Sequence, residues 1–223
     1  MAENRHHNIL KVTVGSYAHG LARSGSDRDL RGVFITRTRH LLELKPDKKD
    51  TKRFEGDTDI TWYEVWKFLL LATRCVPTIL EVFLAPVVFE DDYGSRLKAM
   101  FSHVWSSKAV RDSFIGYGRN QQKKFLENKD GRANKYAAAH LRVLYNGYQL
   151  LSTGKKFDVN LAGSPVYDKV KKFKQGDYTP GEVVQECWEW EQRLVQAYRN
   201  FPDKETNFKL VDRYLLKVRK DFW

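Results

Sequence analysis

Short stretches in the first hundred residues alternate between apolar and polar positions, which is the pattern of β-strands with one buried face. Strands are predicted at 8–14, 30–35 and 57–63, and an extended segment at 87–90. Shorter helical segments are predicted at 17–22, 40–45 and 94–104. Apolar residues at helical spacing between 64 and 75 predict a helix that packs on the sheet. The apolar run TILEVFLA at 78–85 is compatible with either a strand or a helix.

From residue 106 onward the pattern changes to amphipathic helices, separated by breaks that contain glycine or proline. These helices are predicted at 106–128, 132–152, 164–175, 180–200 and 204–222. The sequence therefore predicts an α+β protein. A small mixed β-sheet module covers 1–104, and an all-helical module covers 105–223.

The positive charge of the chain is concentrated in its second half. The whole protein carries +11, but residues 1–105 hold 16 Lys and Arg against 14 Asp and Glu, whereas 106–223 hold 23 against 14. A basic half beside a near-neutral half suggests that one part grips a polyanion while the other does chemistry. A solvated basic surface that serves only solubility would give the same count.

Composition excludes several classes of protein. With 223 residues, 42% hydrophobic and 30% charged, the chain can bury a real core and is not of the disordered type. No apolar run is long enough to cross a bilayer, and the first ten residues lack the apolar core of a secretory signal, so we expect a cytoplasmic protein. Cys75 and Cys187 stand alone, which favours buried thiols over a disulfide or zinc site.

Three acidic positions and a glycine turn carry the candidate chemistry. Gly15-Ser16 ends the first predicted strand, where glycine allows a sharp turn and a close approach by phosphate. Asp27 and Asp29 open the next strand two residues apart, so they share one face of the sheet. Asp59 lies on a third strand, and Asp57 on the same strand face is its rival. Carboxylates held on one face repel each other unless a cation lies between them, and Mg²⁺ is the usual one.

The segment GSYAHGLARSGSDRDLRGVF at 15–34 resembles the signature of the DNA polymerase β-type nucleotidyltransferase superfamily, in which a Gly-Ser turn precedes an Asp-x-Asp strand. It is similar to the RNA-repair, RNA-ligase-associated branch, which is widespread in bacteria and phages. That branch continues as SDxDxRGVF, here 26–34, and later as Pro-x-x-Leu-Glu, here 77–81. The resemblance covers roughly residues 10–90 and continues more loosely through the helical half.

The resemblance implies a polymerase β-like palm with a two-metal site. Gly15 and Ser16 would hold the β- and γ-phosphates of an NTP. Asp27 and Asp29 would bind two Mg²⁺ ions, with Mn²⁺ as an alternative, and Asp59 would supply the third carboxylate. Two such ions stabilise both the attacking and the leaving oxygen of an in-line displacement.

Further residues are assigned more than one role. Arg31 either contacts phosphate or pairs with a carboxylate. His19 either touches phosphate or has a capping or surface role, and Glu81 either hydrogen-bonds near the site or is structural.

In the helical half, Lys135, Arg142 and Tyr145 fall on one helical stripe and are candidate nucleotide-binding residues. The resemblance gives a basic residue of this half the role of steadying the triphosphate, and Lys135 is the first candidate. The aromatic spacing at Trp188, Trp190 and Tyr198 favours core packing over base stacking. The lysines of 169–174 are either backbone-phosphate contacts or a solvated face.

The expected activity is metal-dependent transfer of an NMP from an NTP to an acceptor hydroxyl, with release of pyrophosphate. An RNA or tRNA end is the expected acceptor, through the branch and the basic half. Two alternatives remain open. One is transfer to a hydroxyl of a protein or small molecule, and the other is a non-catalytic RNA-binding module on the same fold.

Overall fold

The computed structural model describes residues 5–45, 51–54 and 58–223, and for residues 52–54 it describes the backbone alone. Two compact units are present. The first comprises residues up to 73, 78–105 and 206–223, and the second comprises 74–77 and 106–205. Both units are built within one chain, but the first is assembled from segments that are distant in sequence.

The first unit contains a five-stranded mixed sheet in the described part of the chain. Its strands are β1 (His6–Val14), β2 (Arg28–Thr36), β3 (Thr51–Phe54), β4 (Thr58–Glu64) and β5 (Val87–Glu90). The order across the sheet is β3-β4-β2-β1-β5. β1 runs antiparallel to β2 and β5, β2 runs parallel to β4, and β3 runs antiparallel to β4. The predicted α+β class with a small mixed sheet is confirmed.

Helices surround this sheet and build the second unit. In the first unit they are α1 (Gly15–Ala18), α2 (Thr38–Leu41), α3 (Val65–Thr73), α4 (Pro77–Leu84, of which Pro77 falls in the second unit), α5 (Asp92–Ala99) and α10 (Phe208–Asp221). In the second unit they are α6 (Ser107–Leu126), α7 (Ala133–Thr153), α8 (Tyr167–Gln175) and α9 (Pro180–Asn200). Among the described residues, none of the helices combines the length and the apolar character that crossing a bilayer requires.

The register between β2 and β4 is fixed by a pair on one face of the sheet. Gly32 lies opposite Trp62, and a Cβ on Gly32 would collide with the indole ring. The ring therefore occupies the space that the glycine leaves free. A slip of one residue would bring a side chain under the indole and turn every β4 side chain to the other face. The register of this pair determines which residues meet at the strand ends.

Several predicted elements differ from the structure. β2 begins at Arg28 rather than 30, so Asp29 lies inside the strand. β3 was not predicted, because its TKRF segment shows no apolar alternation. The helix predicted at 40–45 ends at Leu41. The ambiguous run at 78–85 is helical: Pro77 occupies the first helical position, where its fixed φ and missing N–H suit a helix start.

The last helix lies with the sheet, although the sequence assigned 105–223 to the helical module. A buried ion pair ties it there. The guanidinium of Arg219 contacts both carboxylate oxygens of Glu64 at 2.9 Å and donates to the Thr36 carbonyl at 3.2 Å. Glu64 is only 4% exposed. The partners are 155 positions apart, so periodicity within the last helix could not reveal the contact.

In the second unit, α6 and α9 have capped starts, and the helices approach one another closely. Ser106 caps the start of α6, where its side chain accepts a hydrogen bond from the Ala109 N–H. α9 begins with a reciprocal capping box between Thr179 and Glu182. At Gly147 a Cβ would lie 2.7 Å from Leu194 and 2.9 Å from Phe114, so these helices approach closely at that point.

Both cysteines are buried free thiols, as the sequence predicted. Burial raises the pKa of Cys75 to about 11 and also raises the pKa of Cys187. Neither thiol is therefore activated as a nucleophile at neutral pH.

We expect Arg219→Met to lower the free energy of unfolding by about 3 kcal/mol, because it leaves the buried Glu64 carboxylate without its cation. Urea unfolding measures the effect. The matched control is Lys217→Met, which removes the more exposed ion pair with Asp221 on the same helix and should cost less than about 1 kcal/mol. Equal losses of unfolding free energy in the two variants would contradict a larger contribution from the buried pair.

His140 gives the second unit a pH-dependent stability. The side chain is 2% exposed, its Nδ1 has no hydrogen-bond partner among the described residues, and burial lowers its pKa to about 4. The unfolded chain takes up a proton near pH 6.5, whereas the folded protein resists it, so stability is lost as the pH falls from 6.5 towards 4. Between pH 7 and 4.5, His140 should account for about 2 to 3 kcal/mol of lost stability. Urea unfolding of His140→Gln at both pH values should show a smaller fall in the free energy of unfolding than the parent shows, by this amount. An equal fall in the variant and the parent would contradict the prediction.

Candidate functional site

The chain leaves β1 through a turn that requires glycine. Gly15 has a φ of +67°, and a Cβ there would collide with Oδ2 of Asp29. The turn is closed by two backbone hydrogen bonds, from the His19 N–H to the Gly15 carbonyl at 3.1 Å and from the Leu21 N–H to the Ser16 carbonyl at 2.9 Å. The backbone of Gly15 therefore packs directly against the Asp29 carboxylate.

Strand pairing brings two of the predicted carboxylates side by side. Asp29 lies opposite Val14 on β1 and opposite Asp59 on the parallel strand β4. Residues directly opposite one another project from the same face of a sheet. Because β2 and β4 are parallel, Asp29 and Asp59 lie at the same edge, near the start of each strand. Both are half-buried, whereas Asp27 is exposed and precedes β2.

This donor set suits Mg²⁺ in kind, because carboxylate oxygens on neighbouring strands are the hard ligands the ion takes. The side chains do not yet converge on one point. Among the residues that the structure describes, no group of three His, Cys, Asp or Glu side chains is placed to hold a metal ion. Strand register aligns Asp29 with Asp59, whereas Asp27 precedes β2, and the role of the three residues as a metal site stays a prediction. Asp57, the rival third ligand, lies outside the described residues.

Arg31 follows Asp29 by two residues on the same face of β2. Its Nη1 donates to the carbonyl of Thr78 in the first turn of α4 at 2.9 Å. The sequence offered phosphate or a carboxylate as its partner, and the contact to a backbone carbonyl was not foreseen. This hydrogen bond connects β2 to α4.

His19 and Glu81 form a buried pair. His19 Nε2 lies 2.8 Å from Glu81 Oε1, with side-chain exposures of 10% and 5%. A carboxylate can only accept, so the imidazole nitrogen donates. The sequence singled out both residues but gave no sign that they meet, because they are 62 positions apart on different elements.

The three candidates on α7 differ in exposure. Lys135 is exposed, whereas Arg142 and Tyr145 are buried within the second unit. The Tyr145 ring packs edge-on against Trp190 with centroids 5.1 Å apart, and burial raises the pKa of its hydroxyl. The three residues therefore do not form one exposed face, since Tyr145 already has an aromatic partner in the core. Their role in nucleotide binding stays a prediction.

The other candidates of the helical half also separate by burial. Trp190 is in the core as predicted, but Trp188 is 56% exposed. Lys169 pairs with Glu186 at 3.2 Å, while Lys171 and Lys172 are exposed.

The Gly15 contact can be tested by adding a single methyl group. We expect Gly25→Ala, at a φ of +78° with no atom within 4 Å of the new Cβ, to cost about 1 kcal/mol of unfolding free energy for its backbone alone. Gly15→Ala should cost about 2 kcal/mol more, because the methyl group also displaces the Asp29 carboxylate. The additional Asp29→Ala change should recover most of the extra cost. Equal losses at Gly15 and Gly25 would contradict the contact.

Comparison with known proteins gives the family. Residues 1–173 match the family described as RlaP, the RNA repair pathway DNA polymerase beta family. No curated protein matches the chain. Among solved structures, a nucleotidyltransferase-like protein from Exiguobacterium sibiricum is similar at 13% identity, over 99% of this chain and 76% of that chain, with a TM-score of 0.32 that adds nothing to the assignment. The predicted resemblance is confirmed: with 173 of its 223 residues matched, the chain belongs to the RNA repair pathway DNA polymerase beta family.

Proposed function

We propose that the protein is a nucleotidyltransferase that moves an NMP from an NTP to a hydroxyl group of RNA and releases pyrophosphate. One observation carries the proposal: the Gly15 turn, Asp29 and Asp59 meet at a single edge of the sheet through the pairing of β1, β2 and β4. A glycine turn beside paired carboxylates is the arrangement that we expect for nucleotidyl transfer. Family membership supports the same class of reaction.

Each residue has a part that follows from its chemistry. The Ser16 hydroxyl and the backbone N–H groups of the Gly15-Ser16 turn bind the β- and γ-phosphates. The carboxylates of Asp29 and Asp59, with Asp27 before β2, hold Mg²⁺ or Mn²⁺. Bound metal would neutralise the charge that develops on the phosphate oxygens and make the acceptor hydroxyl more acidic. The half-buried setting of Asp29 and Asp59 strengthens their electrostatic effect relative to open water.

The acceptor is argued from charge and family. The second unit carries 19 Lys and Arg against 12 Asp and Glu, a net of +7, from residues 74–77 and 106–205. Such an excess favours a polyanion, and its binding would weaken steeply with added salt. The family description points to RNA among polyanions. An RNA end, such as that of tRNA, supplies the hydroxyl that attacks the α-phosphorus.

The test is incubation of the protein with each α-³²P-labelled NTP, MgCl₂ or MnCl₂, and a mixture of tRNA, other RNA and protein. We expect label on RNA with the parent protein. Asp29→Asn and Asp59→Asn should each lower the rate by at least about 100-fold, since each removes a carboxylate that would hold the metal ion, and the metal ion offsets the negative charge of the transition state.

Asp203→Asn is the matched control, because Asp203 is an exposed carboxylate in the loop after α9. It should transfer at the parent rate. Label on protein alone would show that the acceptor is a protein and would contradict RNA as the acceptor. RNA retention in a gel-shift assay without any labelled product would contradict the enzymatic proposal.

A further inference from the structure

The helix α4 lies in the core of the first unit yet carries an acidic side chain. Ile79, Leu80, Val82 and Phe83 on this helix are buried. Glu81 stands among them and is 4% exposed. A carboxylate in such a place costs desolvation free energy that an apolar residue would not. A hydrogen-bond partner is needed to offset this cost.

That partner belongs to the segment that contains the Gly15-Ser16 turn. Glu81 accepts from His19 at 2.8 Å, and the His19 backbone N–H donates to the Gly15 carbonyl at 3.1 Å. A continuous chain of hydrogen bonds therefore runs from the buried carboxylate through His19 to the residue that packs on Asp29. The turn is fixed to α4 as well as to its own strand.

The same helix also binds the strand that carries Asp29. Thr78 and Glu81 are three residues apart, so they lie on one face of α4. The Thr78 carbonyl accepts from Arg31 at 2.9 Å, two residues beyond Asp29 on β2. One face of α4 thus contacts both halves of the candidate site, the turn through His19 and the strand through Arg31.

Energetics favour a positional role for the buried pair. Replacing a buried ion pair with apolar side chains of similar volume often leaves stability unchanged or raises it. An oriented pair can nevertheless fix the location of the backbone segment to which it is attached, which apolar packing does less specifically.

We infer that His19 and Glu81 are positioning residues that hold the Gly15-Ser16 turn in place for the phosphates of the incoming NTP. The inference rests on the proposed function. Neither side chain is assigned contact with substrate. Their effect is transmitted through the backbone of the turn. Since the turn grips phosphates in the ground state and the transition state alike, loss of the pair should raise KM for the NTP and leave kcat nearly unchanged.

The test combines alanine and glutamine variants of both residues. His19→Ala and Glu81→Ala should each raise KM for the NTP at least about tenfold, the range expected for losing a charge-assisted hydrogen bond. His19→Gln keeps a donor and Glu81→Gln keeps an acceptor, so both should recover much of this loss. The double alanine variant should be no worse than either single one, because the residues act as one unit. Circular dichroism and thermal unfolding establish that each variant is folded.

A control pair is available in the same unit. His7 contacts Asp91 at 2.7 Å near the start of β1, at the opposite end of that strand from Gly15. His7→Ala should leave both KM and kcat at parent values. Unchanged KM in the His19 and Glu81 variants, with only thermal stability or the active fraction reduced, would overturn the positioning role.

A binding measurement separates this inference from the proposed function. The dissociation constant of a fluorescent methylanthraniloyl-NTP, measured with MgCl₂ and without acceptor, should rise in the alanine variants as KM does. If the parent binds the analogue but transfers nothing, the proposed function fails while the positioning role is still judged by the dissociation constants. If the parent does not bind the analogue, the positioning role is overturned as well.

Discussion

Two like charges placed opposite each other on parallel strands are the constraint on which the rest of the first unit depends. Asp29 and Asp59 are direct partners across β2 and β4. The Gly15 backbone, which directly follows β1, packs against Asp29. Pairing like charges in this way is unfavourable on its own. The sheet tolerates it because the opposite face of the same ladder is specified strongly, with the Trp62 ring lying over Gly32. The favourable packing of Trp62 on Gly32 thus compensates for the unfavourable pairing of Asp29 with Asp59 on the other face.

In the proposed function, a bound cation would relieve this repulsion. Alignment by backbone register keeps Asp29 and Asp59 adjacent whatever their side-chain rotamers are. In the proposed function, the side chains would adjust when the phosphate oxygens and the metal ion bind together. The adjacency of these two carboxylates is therefore specified by strand pairing.

Local pattern was enough to predict much of the molecule. Alternation predicted β1 and β4, because this feature depends on neighbours in sequence. The polar strand β3 has no such signal and was missed. The contacts of His19 with Glu81 and of Glu64 with Arg219 join residues 62 and 155 positions apart, so only the tertiary fold reveals them. The burial of Tyr145 was not foreseen, because a helical stripe shows which residues align, but not whether a neighbouring helix already covers them.

The return of α10 to the sheet has a consequence for how the protein is made. The second unit, 74–77 and 106–205, lies in sequence between parts of the first. During synthesis all its residues leave the ribosome before Arg219 does, so it can fold while Glu64 still lacks its cation. The ends of β2 and β4 that bear Thr36 and Glu64 therefore receive their contact with Arg219 only after the whole of the second unit has been synthesised.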